Sequence, residues 1–164
     1  MTPPIPESIR AVILTPDRTV LLMEVRAGDG SGPIWITPGG RRHSGEDTLD
    51  ALRRELREET GLSDVRTDGE IWVRHGTFTK RGRVERERER FYLVRMAAFQ
   101  PNAAAIGAAE ATRFVAFRWW GMDEIAASPA RFVPRRLAAL LRTLEQEGVP
   151  AAPVDVSDGA TAAP

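Results

Sequence analysis

The chain has no cysteine, which excludes disulfides and thiolate metal ligation and leaves oxygen or imidazole as the donors for any metal. It has no apolar run approaching the roughly 20 residues that span a bilayer as a helix. It has no excess charge: 23 basic and 23 acidic residues give a formal net charge of zero, which argues against a polyanion-binding surface and hence against nucleic acid as a partner. Lysine is almost missing, with Lys80 alone among the arginines, and histidine is limited to His43 and His75. With no thiol and with serine and histidine scattered, nothing supports covalent nucleophilic catalysis. The opening MTPPIPESIR lacks a basic segment followed by an apolar run, so no secretory signal is read there and a cytoplasmic location is expected.

What is present is enough for one globular domain: 164 residues, of which 42% are hydrophobic. The informative stretch is Gly40 to Leu62, GRRHSGEDTLDALRRELREETGL. Leu49, Leu52 and Leu56 make an apolar stripe, and the spacing predicts a helix from about Thr48 to Thr60, closed by a left-handed cap at Gly61. Glu55, Glu58 and Glu59 cluster beside that stripe. Like charges at this spacing repel, and the last helical turn disfavours carboxylates through the helix dipole. A helix shaped for stability alone would avoid them, whereas a hard cation such as Mg²⁺ needs such oxygens on one rigid face. The competing reading of the helix alone is a solvated charged surface balanced by Arg53, Arg54 and Arg57.

The whole stretch decides between them. Gly40, Glu46, Arg54-Glu55-Leu56, Glu58-Glu59 and Gly61-Leu62 match, at all nine defined positions, the pattern G-x5-E-x7-R-E-U-x-E-E-x-G-U, with U aliphatic. This resembles the Nudix box, and Trp35-Ile36-Thr37-Pro38-Gly39 is similar to the family's approach to it. The resemblance implies an α/β/α sandwich, a mixed sheet flanked by helices. It implies hydrolysis of a nucleoside diphosphate linked to another group, with Mg²⁺ or Mn²⁺. It also implies metal ligation by Glu55, Glu58 and Glu59, by the backbone carbonyl of Gly39, and by a glutamate outside the box, for which Glu110 stands in the matching place. Glu58 is the favoured general base, with Glu55 beside it as a catalytic group. Glu46 and Arg54 are expected to pair and hold the box loop to the helix.

In chain order, residues 1–7 carry three prolines and read as an irregular lead-in, and 8–149 as a single Nudix domain. Ser8–Thr15 and Val20–Val25 read as a strand and its hairpin partner across Pro16-Asp17-Arg18. Ala27–Pro33 is a glycine-rich loop without a phosphate-loop motif, and Ile34–Thr37 a short strand. Glu70–Phe78 and Val84–Ala98 form a hairpin whose return strand alternates glutamate and arginine from Glu85 to Arg90. Most of these six read as cross-strand ion pairs, with Glu89 or Arg90 close enough to the apolar segment to reach a site. Phe114–Trp120 is a strand; Met122–Ala127 and Pro134–Glu147 are helices. The tail 150–164, rich in Ala and Pro, reads as disordered.

Arg26, Arg42 and Arg90 are candidate phosphate contacts. His43 lies in the box loop and reads as a solvent-exposed residue. Substrate choice stays open between a nucleoside triphosphate and a nucleotide sugar. The proline and tyrosine markers of the ADP-ribose and dinucleoside polyphosphate subfamilies are missing, and Thr77 and Phe78 stand in that region. The alternative function is a non-catalytic Nudix-fold module that senses or binds a nucleotide. The sequence leaves the oligomeric state open, a homodimer included.

Overall fold

A computed structural model describes residues 4–80 and 82–158. Its first strand, β1 (Glu7–Leu14), explains the architecture. Ile9, Ala11 and Ile13 point into one apolar cluster, while Val12 and Leu14 point into another. A strand buried on both faces alternates its side chains between two cores, so β1 lies inside a sheet covered on both sides. Its neighbours are β2 (Thr19–Arg26), β4 (Gly39–Arg41) and, running parallel, β6 (Arg83–Arg95). With β3 (Pro33–Ile36), β5 (Gly69–Lys80), β7 (Phe114–Gly121), β8 (Phe132–Val133) and β9 (Val154–Asp155), the sheet has nine strands among the described residues. The order is β8-β3-β2-β1-β6-β5-β9, with β4 on β1 and β7 on β2.

Helix α1 (Thr48–Thr60) covers one face through Ala51, Leu52 and Leu56. Asp47 caps its start, accepting from the amides of Leu49 at 2.9 Å and Asp50 at 3.4 Å, and Gly61 ends it at φ 81°. The expected bounds of this helix are the observed ones. The other face is covered by α3 (Met122–Ala127) and α4 (Leu137–Glu147), through Met122, Ile125, Leu137, Leu141 and Leu144. A mixed sheet between helices is the expected α/β/α arrangement. A four-residue helix, α2 (Ala108–Ala111), carries Glu110 into β7.

Several expectations are corrected. β1 and β2 are partners only near their turn, at Leu14↔Val20; β2 then pairs with β3 and β7, so no extended hairpin forms. Gly39–Arg41, which opens the box stretch and for which no strand is expected, pairs with β1, because the glycines let its backbone approach closely. The helix expected from Pro134 begins at Leu137. The tail is ordered through residue 158: β9 pairs parallel with β5, the amide of Val156 donates to the Val73 carbonyl at 2.9 Å, and Val156 is buried. Composition misled here because a free sheet edge and one valine suffice to order the segment. The folded unit therefore runs past residue 149. The rest of the expected tail, 159–164, lies outside the described residues, as do 1–3 and Arg81 of the expected β5–β6 turn.

Candidate functional site

The site is built where α1 crosses β4. A helix turns about 100° per residue, so residues four apart share a face. Glu55 and Glu59 accordingly both look inward, and both are buried. Glu110 reaches them from α2, and one carboxylate oxygen from each of the three lies within 4.8 Å of the others. Two glycines make the approach feasible. A Cβ on Gly40 would stand 2.5 Å from the Glu55 carboxylate, and one on Gly39, whose φ is 139°, would stand 2.0 Å from the Ile9 carbonyl. The Gly39 amide donates to Glu59 at 2.6 Å.

Burial makes this cluster electrostatically uncomfortable. Desolvation raises the Glu55 carboxyl above its ordinary range even though Arg54 donates to it, and pushes Glu59 up to about 8, against the pull of Arg10 and the Gly39 amide. One oxygen of Glu55 is buried with no hydrogen-bond partner. Two buried carboxylates that resist ionisation without a counter-charge, one with an unpartnered oxygen, together with the Glu110 carboxylate make a set of hard oxygen donors that fits a divalent cation.

Glu46 and Arg54 meet as a two-pronged pair, at 2.7 and 3.0 Å. The guanidinium also donates to Glu55 at 2.7 Å and to the Arg41 carbonyl at 3.0 Å, so one side chain links loop, strand and carboxylate. Arg54 holds the Glu46 carboxyl down at about 2.

Other expected site residues are placed differently. Glu58 is not part of the three-carboxylate group. It sits about 100° round the helix from Glu59, is 37% exposed, and lies 3.6 Å from Arg54. The Gly39 carbonyl already accepts from Arg10 at 2.9 Å, leaving one lone pair for another partner. The three candidate phosphate arginines are engaged within the protein. Arg26 donates to the Thr112 carbonyl and so ties β2 to the end of α2. Arg42 pairs with Glu7 and donates to the Glu46 carbonyl. Arg90 grips Glu70 at 2.6 and 3.0 Å and reaches Thr48. His43 is exposed, as read. Arg10 was missed. The available signal was one charged side chain inside the apolar run from Ile9 to Leu14.

The family model described as NUDIX domain matches residues 4–142. The chain belongs to the Nudix family. It is 30% identical over 119 residues to an RNA pyrophosphohydrolase of Rhizobium meliloti, covering 65% of this chain and 68% of that protein. A shorter match, 43% over 51 residues, joins it to an uncharacterized Nudix hydrolase of Bacillus subtilis and spans 31% of this chain and 29% of that one. Among solved structures, a NUDIX hydrolase from Nitrosomonas europaea superposes with a TM-score of 0.64 at 23% identity, over 89% of this chain and 91% of that one. As a Nudix hydrolase the protein cleaves a pyrophosphate bond, and the family's general use of divalent metals agrees with the three converging carboxylates.

Proposed function

We propose that the protein uses Mg²⁺, or Mn²⁺ in its place, to hydrolyse the pyrophosphate bond of a nucleoside diphosphate joined to a further group, with a 5′-triphosphate end as the first candidate. The observation that carries this reading is the convergence of Glu55, Glu59 and Glu110. These three carboxylates would hold the ion, with the second lone pair of the Gly39 carbonyl as a further donor. Such an ion neutralises the phosphate oxygens and makes water a better nucleophile. Arg54, anchored on Glu46, keeps Glu55 in place. Glu58 stands outside the cluster and open to solvent, and takes the proton of the attacking water.

Support for the substrate class comes from two sides. Relatives at 28–30% identity are named RNA pyrophosphohydrolases. A cleft of about 880 Å³ is lined by Ile34 and Phe132 together with Arg74, Arg113, Arg131 and Arg135, a mixture that suits an apolar base and an anionic linkage. Arg113 donates its amide to the Glu110 carbonyl at 2.9 Å, which puts one wall of the cleft next to α2.

The test is a panel of nucleoside triphosphates, nucleotide sugars, ADP-ribose and 5′-triphosphorylated RNA, assayed for phosphate, pyrophosphate or nucleoside monophosphate release with Mg²⁺ and with chelator. Metal-dependent release from the triphosphate members is expected, and Glu58→Gln should lower kcat at least about a hundredfold. Turnover that persists in excess chelator contradicts the metal role. Unchanged kcat in Glu58→Gln moves the base elsewhere. A nucleotide that raises Tm without ever being cleaved favours the binding-module reading instead.

A further inference from the structure

Arg10 is largely enclosed, its side chain 15% exposed, and its partners come from β4, β6 and the loop between β3 and β4. It lies opposite Gly39 in the β1–β4 register and donates to the Gly39 carbonyl at 2.9 Å, with a longer contact to the Thr37 carbonyl at 3.4 Å. Its Nε donates to Glu89 of β6 at 3.1 Å. The other oxygen of Glu89 accepts from Arg74 of β5, its cross-strand partner, at 2.7 Å. Gly76 leaves room for that contact: a Cβ there would stand 2.7 Å from the Arg74 guanidinium. The result is a line of alternating charge, Arg74–Glu89–Arg10, which starts in the cleft and ends at the glycine turn.

That turn seats the carboxylates. The Gly39 amide holds Glu59, and Gly40 lies in contact with the Glu55 carboxylate. Arg10 is also attracted to Glu59. Two buried carboxylates thus compete for one guanidinium, and the hydrogen bond to Glu89 keeps it off the other. Resting on the metal-site reading above, we infer that Arg10 is a positioning residue for the site. Held by Glu89 and Arg74, it fixes the Gly39–Gly40 turn beneath Glu55 and Glu59, and Glu89 prevents it from pairing with Glu59 in place of the cation. A lysine would have to serve Glu89 and the Gly39 carbonyl from one nitrogen, whereas arginine spreads the two bonds over separate nitrogens of a planar fork.

The test is Mn²⁺ binding followed by electron paramagnetic resonance without nucleotide, on wild type, Arg10→Lys, Arg10→Met, Glu89→Gln and Arg74→Met, with Tm recorded for each. Outer partners of metal ligands typically matter about 10- to 100-fold in affinity. Arg10→Met and Glu89→Gln should lose about that much, Arg10→Lys should fall between them and wild type, and Arg74→Met should shift Kd the same way by a smaller factor. Activity lost in Arg10→Lys should return as Mn²⁺ is raised, with the nucleotide KM little changed. If Arg10→Met does not fold, Arg10→Lys and Arg74→Met carry the test. If both bind Mn²⁺ as wild type does and only Tm falls, the unit is structural and the inference is overturned. If wild type itself binds no Mn²⁺, the reading beneath it fails, which is a separate result.

Discussion

Two arginine–glutamate units flank the same carboxylates, and they differ in almost every respect. Arg54 and Glu46 are eight residues apart and join the box loop to α1, and Arg54 donates to Glu55. Arg10 and Glu89 are 79 residues apart, lie on neighbouring strands, and hold the glycine turn from within the sheet. The first unit is set by spacing along a loop and one helix, the second by strand register. The contrast separates two tasks. The two arginines are equally enclosed, but Glu46 is 17% exposed against 8% for Glu89, so the first pair keeps more contact with water and can orient a ligand at less cost in stability. A buried pair must be complete, since removing one partner strands a charge out of water.

The largest expected effect follows from that difference. Arg10→Met should lower unfolding free energy by about 3 kcal/mol or more, the range for breaking a buried pair, whereas Arg54→Ala should change it by about 1 kcal/mol at most. Denaturant titration of both variants checks this. Equal losses would erase the distinction. Next in size, Arg54→Ala should reduce kcat/KM about 10- to 100-fold by releasing Glu55. Adding Glu46→Ala should reduce it little further, because the two act as a unit. Additive losses in that double-mutant cycle would mean that Glu46 and Arg54 serve the site separately.

The pH response should also differ in sign between the two regions. Glu59 is pushed up to about 8 from an ordinary 4.5. The folded chain favours its neutral form, so its contribution is full below pH 4.5 and is lost as pH rises toward 8. Glu46 is held at about 2, so its contribution is present above pH 4.5 and is lost as pH falls toward 2. In chelator, Tm of wild type should therefore decline between about pH 5 and pH 8, and Glu59→Gln should remove much of that decline. Added Mn²⁺ should flatten it too, because the ion favours the charged form. A wild-type profile that is level across this window without metal would contradict the burial argument for Glu59. The smallest expected effect is Asp47→Ala, which removes the α1 cap at about 1 kcal/mol and leaves the carboxylate geometry intact.

The same contrast explains what could be read from the chain. α1, its two ends and the Glu46–Arg54 pair were legible because they are local: helix period, cap residues and fixed spacing determine them. The sheet between two layers of helices was legible through the resemblance carried by the box, not through the strands themselves. Arg10 was not, because its meaning depends on β1 running beside both β4 and β6, a register that no short pattern encodes. The placement of Glu58 outside the trio follows from helix phase, but only once the inward face of α1 is known. β9 was missed because an alanine- and proline-rich segment gives little sign of the edge strand waiting for it.

The proposed divalent cation, held jointly by Glu55, Glu59 and Glu110, underlies both the Arg54–Glu46 unit and the Arg10–Glu89 unit. Anomalous diffraction from crystals equilibrated with Mn²⁺ tests it most directly. A manganese peak is expected, bounded by those three carboxylates and adjoining the Gly39 carbonyl, with its loss in Glu59→Gln crystals grown the same way. A catalytically active, Mn²⁺-saturated crystal with its metal bound elsewhere, or with a peak that survives the substitution unchanged, would contradict it.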